Sequence, residues 1–146
     1  MKYFYRFKVR FGDTDAYGIV HHRNHYNYFE EARFHFSTEI LGFDVESKVK
    51  FPVIESSCIY KNPLKFDLKY YDIELDCRII DNSKIEFTYI IKDDKKKYAQ
   101  GKTVHVFVNQ NNKMCLEIPE WLSSRILNVM DQNNNVIKEE GDNSDS

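Results

Sequence analysis

Tyr3, Tyr5, Phe7 and Val9 alternate with Phe4, Arg6, Lys8 and Arg10, and this period of two predicts a first strand. After the turn-forming stretch Gly12–Gly18 the period changes. Tyr26, Phe29, Ala32, Phe36 and Ile40 recur every three or four residues, the stripe of an amphipathic helix. Asn24 as N-cap and Gly42 as the residue beyond the end place that helix near 24–41. Tyr28 and Phe34 lie off the stripe, so the pattern predicts a helix enclosed on most sides. The rest reads as strands. The first, 53–60, ends at Asn62-Pro63, and the next, 68–80, changes phase near Tyr71-Asp72, which predicts a bulge or bend. Asp81-Asn82-Ser83 reads as a hairpin turn into Ile85, Phe87, Tyr89 and Ile91. Lys92–Lys97 reads as a polar loop, and a last strand, 98–109, carries Val104, Val106 and Val108 on one face. Pro119 opens a short helix through Met130.

The predicted order is strand, long helix, then four strands in a meander. That is an α+β fold, an antiparallel sheet with one helix against a face. Its free edge and uncovered face invite pairing with a second copy, as a homodimer or homotetramer. The length of 146 residues, with 42% hydrophobic and 15% aromatic residues, predicts one folded domain over 1–130 and excludes low-complexity and fibrous classes. The stretch 131–146 holds Asp131, Glu139, Glu140, Asp142 and Asp145 against Lys138, and reads as an acidic disordered tail. Removing that tail turns the formal charge of −2 into a mildly positive body, too weakly basic for a nucleic-acid binder. Cys58, Cys77 and Cys115 are odd in number and widely spaced, which argues against both a disulfide framework and a thiolate metal site. No apolar run approaches the roughly 20 residues of a membrane span, and the N-terminus alternates where a signal peptide needs an apolar block. A soluble cytoplasmic protein is expected.

Candidate chemistry concentrates before the helix, in Asp13, Thr14, Asp15, Gly18, His21, His22 and Asn24. A carboxylate beside the unpaired N–H groups of a helix N-terminus suits acyl transfer: one group attacks or activates water, and the N–H groups hold the oxyanion. The competing reading is that Asp13 and Asp15 only cap the turn and the helix. His21, His22 and His25 form H-H-x-x-H, but no H-E-x-x-H or further ligand spacing accompanies it, so no metal is predicted. There is no G-x-S-x-G, and Cys58 has no activating neighbour in sequence. His105 reads as packed or surface, and His35 as mid-helix without polar company.

The stretch Phe11–His22, with Asn24, Tyr26, Phe29, Glu30, Ala32 and Arg33, resembles the signature of the 4-hydroxybenzoyl-CoA thioesterase-like hotdog family, D-T-D-x-x-G-[IV]-V-x-H followed by E-x-A-R. Phe51, Val53, Tyr60, Pro63 and Asp67 resemble that family's second motif in spacing. The resemblance implies a curved five-stranded sheet wrapped around one long helix, acyl-CoA thioesterase activity and active sites at subunit interfaces. It implies Asp15 as the catalytic carboxylate and His22 as the residue whose backbone N–H polarises the thioester carbonyl, with its imidazole assisting. Gly18, Val20, Tyr26 and Phe29 are then the candidate substrate-binding residues, with core packing the competing reading for Tyr26 and Phe29. Where some relatives carry a Tyr, this chain has Phe11, so a hydroxyl-dependent role there is lost. Glu55 is a second candidate carboxylate. Coenzyme A enters as part of the substrate, with no separate cofactor, and Arg33, Lys61, Lys65 and Lys102 are candidate phosphate ligands. A hotdog dehydratase, or a non-catalytic acyl-CoA-binding protein, are the alternative functions.

Overall fold

The apolar alternation of the strand patterns maps onto one buried sheet face. Ile85, Phe87, Tyr89 and Ile91 are all buried, as are Tyr71, Ile73, Leu75 and Cys77 beside them. The computed structural model describes residues 2–43 and 48–129. Its elements are β1 (Tyr3–Lys8), α1 (His25–Glu39), β2 (Val53–Tyr60), β3 (Tyr70–Asp81), β4 (Lys84–Lys92) and β5 (Lys97–Val106), followed by α2 over residues 120–129. The strands form one antiparallel sheet in the order β1-β3-β4-β5-β2, with α1 laid across the buried face. This is the α+β hotdog architecture.

Aromatic side chains carry the junction between helix and sheet. Phe29 stacks on Tyr89 with ring centroids 4.6 Å apart, Phe36 meets Phe87 edge-on, and Tyr28 stacks on Phe7 at 4.5 Å. Burying each such ring contributes about 2–3 kcal/mol. A Cβ at Gly101 on β5 would lie 2.3 Å from the Phe29 ring, so only glycine lets the helix sit this close.

Several local expectations change. The helix is shorter than 24–41: a 3₁₀ turn over His22–Asn24 precedes its start at His25, and it ends at Glu39. Asn24 holds the N-cap position without capping; its side-chain amide donates to the Asp13 carbonyl at 2.9 Å. Gly42 has φ +78° and lets the Arg125 guanidinium reach the Leu41 carbonyl, where a Cβ would stand 1.8 Å from Nη1. The helix is not enclosed on most sides: Tyr28 is core, whereas Phe34 is exposed. The phase change at Tyr71-Asp72 is not a bulge. β3 pairs without a break from Tyr70 to Ile79, and Leu68 lies outside it, exposed, with φ +63°. The irregularity sits at Ile79/Asp81, beside the turn.

The last strand stops at Val106, and Val108 makes isolated bridges to Lys50 and Met114. Its inward face is Ala99, Gly101, Thr103 and His105, set by pairing with β4, while Val104 and Val106 are buried on the opposite face. Nor do four strands form a meander. Only β3, β4 and β5 do, and β2 crosses to the far edge against β5, leaving Val53, Ile54, Ile59 and Tyr60 exposed. The acidic stretch 131–146 lies outside the described residues.

One polar chain runs through this apolar layer. An Arg33 N–H donates to the Tyr89 hydroxyl at 3.0 Å, Tyr89 pairs with Thr103 at 2.7 Å, and Thr103 pairs with His105 Nε2 at 2.9 Å. His105 Nδ1 completes it at the Phe51 carbonyl, 2.7 Å away. A carbonyl can only accept, so His105 carries a hydrogen on Nδ1, and in the neutral ring Nε2 accepts from the Thr103 hydroxyl. Burial brings its pKa down to about 4, with the nearby Arg33 charge acting in the same direction.

Candidate active site

The loop between β1 and α1 turns sharply, and each feature has a residue-level cause. Gly18 adopts φ +75°, which permits the turn that returns the Asp15 N–H to the Ile19 carbonyl at 2.8 Å. The Asp15 carboxylate closes an Asx turn by accepting the Tyr17 N–H at 2.8 Å. The Val20 N–H then bonds the Leu64 carbonyl at 2.9 Å, tying the loop to the segment after β2.

Asp13 ties down the other end. Its carboxylate accepts the Tyr28 hydroxyl at 2.7 Å and Arg10 Nε at 2.9 Å, and Arg10 also pairs with Glu31 at 2.8 Å. Its carbonyl accepts the His21 N–H at 3.0 Å and the Asn24 amide. Burial, then the bond to Asp13, pushes the Tyr28 phenol far up, so it serves as a permanent donor.

The His22–Asn24 turn leaves one donor over. The His21 N–H goes to Asp13, the Arg23 N–H to His21 Nδ1 at 3.3 Å, and the Asn24 N–H to the His21 carbonyl at 2.9 Å. No hydrogen bond among the described residues uses the His22 N–H. The His22 carbonyl is doubly held, by His25 Nδ1 at 3.2 Å and by the Tyr60 hydroxyl at 2.9 Å. Because a carbonyl only accepts, His25 carries its proton on Nδ1, and burial holds its pKa below the ordinary histidine value.

A cavity of about 460 Å³ opens at this turn. Asp15, Val20, His21, His22, His25, Tyr60 and Lys61 line it, with Ile19, Pro63 and Leu64 forming much of the apolar wall. The structure therefore brings together three of the sequence candidates, Asp15, Val20 and His22. Gly18 shapes the loop but does not line the cavity, Tyr26 is half-buried beside Phe29, and Phe29 is fully buried in the core. Of the four candidate cations Lys61 reaches the cavity and Lys65 bridges Ile19. Arg33 belongs to the core chain, and Lys102 stands 3.9 Å from Glu55, which is on the exposed edge strand outside the cavity. Phe11 is 74% exposed and packs edge-on against Phe66. Cys58 is a free thiol whose pKa burial pushes up. Among the described residues no cluster of three metal-ligating side chains occurs, and no helix is long and apolar enough to cross a membrane.

Sequence reasoning missed Tyr60 and His25 as parts of the site. Tyr60 stood out only through the second motif, and His25 only as a metal ligand. Their shared grip on one carbonyl is a contact across 38 residues for Tyr60, which no spacing rule reveals.

Proteins of similar sequence and fold are numerous. The chain is 33% identical over 124 residues to an esterase candidate of Aquifex aeolicus (strain VF5), covering 82% of this chain and 94% of that protein. It is 30% identical over 138 residues to a 1,4-dihydroxy-2-naphthoyl-CoA hydrolase of Trichodesmium erythraeum (strain IMS101), covering 85% and 97%. Among solved structures, the gentisyl-coenzyme A thioesterase BH1999 superposes with a TM-score of 0.75 at 32% identity, over 85% of this chain and 99% of that one. A family model for the thioesterase-like superfamily matches residues 9–126, from the end of β1 into α2 and across the whole site. On this evidence the chain belongs to the thioesterase-like superfamily and is a thioester hydrolase of hotdog fold.

Proposed function

We propose that the chain hydrolyses an acyl-CoA thioester to free acid and coenzyme A, with Asp15 as the catalytic carboxylate and the His22 N–H as the oxyanion donor. The observation that carries this reading is the sharing of one cavity by a carboxylate with little hydrogen-bonding demand and a turn whose His22 N–H has no partner among the described residues. The thioester carbonyl oxygen accepts that N–H, and charge develops on it where the turn dipole is positive. Asp15 then acts in one of two ways. As nucleophile it bonds the carbonyl carbon and expels the thiolate, and water hydrolyses the mixed anhydride. As general base it takes a proton from water while the water oxygen attacks the same carbon and the C–S bond breaks. Coenzyme A thiolate is a good leaving group, so neither route needs a Ser-His-Asp triad.

Lys61 at the cavity rim suits an anionic coenzyme A, and the apolar wall of Ile19, Val20, Pro63 and Leu64 suits an acyl group. The curated relative and the solved thioesterase named above act on aryl-CoA thioesters, which favours an aromatic acyl group as the first to try. The exposed β2 edge supports a homodimer or homotetramer formed by a second copy pairing there, with coenzyme A substrate reached from the interface. The test is release of free thiol from benzoyl-, hexanoyl- and palmitoyl-CoA, with light scattering for assembly. Binding of all three without thiol release would favour the non-catalytic acyl-CoA-binding alternative, and a stable active monomer would exclude the interface model.

A further inference from the structure

The three-residue turn that presents the His22 N–H is too short to hold itself. A 3₁₀ turn has poor hydrogen-bond geometry and gains little from its own bonds. Its orientation depends on tethers, and the two on the His22 carbonyl differ in kind. His25 is three residues along the same helix, so its Nδ1–H moves with the turn. Tyr60 stands at the end of β2, where its strand is paired to Ala99 of β5 and the following Lys61 and Asn62 N–H groups bond the Tyr98 carbonyl at 2.9 and 3.1 Å. Its hydroxyl is therefore anchored to the sheet.

We propose that Tyr60 is a positioning residue for thioester hydrolysis: by clamping the His22 carbonyl to the sheet it holds the His22 N–H facing the cavity. The inference rests on the reading of His22 as oxyanion donor given above. The two peptide units that meet at His22 are planar, so only φ and ψ of one residue relate the clamped carbonyl to the free N–H. The peptide that carries the His22 N–H is held on its other side by the Asn24 N–H on the His21 carbonyl. Tyr60 supplies the second fixed point, and a donor fixed before the reaction is what makes oxyanion stabilisation effective. The Tyr60 ring also stands edge-on to the His25 ring at 4.7 Å, which keeps both donors on one acceptor. Partial desolvation of the hydroxyl, and the Cys58 thiol next to it, push the phenol pKa up to about 12, so the donor is intact throughout the neutral range. Because β2 is also the exposed edge of the sheet, whatever pairs along that edge would set the position of the clamp.

Tyr60→Phe removes the hydroxyl and keeps the ring and the strand pairing. With benzoyl-CoA as probe, the variant is expected to lose about 10- to 50-fold in kcat with KM within about threefold, because the lost effect is felt only where charge develops. Amide hydrogen exchange at Arg23 and Asn24, whose N–H groups bond His21 across the turn, should rise about tenfold while the melting temperature stays within a few degrees, a readout that a purely packing role would leave alone. Unchanged kcat and unchanged exchange would overturn the proposal. So would a raised KM at constant kcat, which would mean that the hydroxyl touches substrate directly. A wild-type protein that hydrolyses no thioester would instead overturn the functional reading on which the proposal depends, and that failure is seen before any variant is made.

Discussion

Asp13 and Asp15 are separated by one residue, yet the Asp13 carboxylate takes hydrogen bonds from Tyr28 and Arg10 while the Asp15 carboxylate takes one from the Tyr17 N–H and faces a cavity. Asp13 closes a 3₁₀ turn over Phe11–Asp13, while Asp15 opens the next turn, its carboxylate held by the Tyr17 N–H. One carboxylate therefore turns inward to the helix core and the other outward to the site. The same division separates the histidines. His105 spends both nitrogens on the core chain of Arg33, Tyr89, Thr103 and Phe51, whereas His22 has a free backbone N–H at the cavity. Polar groups with every bond committed maintain the fold, and those with bonds to spare are where substrate chemistry can occur.

The contrast can be broken most sharply at Asp15. Asp15→Asn keeps the size and the Asx-turn acceptor, so the melting temperature should hold while thiol release falls at least about 10³-fold, on the order of 4 kcal/mol in the barrier. Activity surviving within a few-fold would move attention to Glu55. The committed side is next, and pH probes it. A neutral buried His105 with a pKa near 4 in the fold and an ordinary value of 6.5 when unfolded makes the unfolded chain bind more protons between those limits. Stability should therefore be full above about pH 6.5 and fall as pH drops towards 4, by about 3 kcal/mol in all. His105→Gln in parallel denaturant titrations should flatten that slope, and an unchanged slope would assign it elsewhere.

Asp13→Ala strips the Tyr28 hydroxyl and Arg10 of their shared acceptor. It should cost about 2 kcal/mol of stability by denaturant unfolding, with activity reduced less than by Asp15→Asn. The reverse ranking would exchange the roles of the two carboxylates. The smallest effect is expected at the His22 side chain. His22→Ala retains the backbone N–H, so kcat should fall only a few-fold, and a loss as deep as that of Asp15→Asn would show that the imidazole itself takes part.

Much of this was legible in the sequence because it is written locally. The alternation in β1 and β4, the stripe of α1 and the Asn82-Ser83 turn each follow from residues within a few positions of one another. The cluster around Asp15 and His22 was visible because loop and helix start are contiguous. What stayed hidden was every consequence of pairing between distant segments. The spacing placed Val104 and Val106 on one face of β5, but only pairing with β4 decided that Thr103 and His105 on the other face turn towards the helix. Phe29 was a candidate for an acyl channel as well as for the core, and the absence of a side chain at Gly101 is what lets it sink against the sheet. Tyr60 could be placed on a strand, but not opposite the His22 carbonyl.

By itself, then, the sequence determined the elements, the fold class and the loop where a carboxylate meets a helix start, because periodicity and turn chemistry act within a few residues. The tertiary structure alone decided that β2 crosses to the far edge, that Asp13 is spent on Tyr28 while Asp15 is not, and that Tyr60 reaches the turn. Those outcomes depend on which strands hydrogen-bond and which side chains then share a cavity. That choice is made by burying the whole apolar face at once, and no single stretch of the chain contains it.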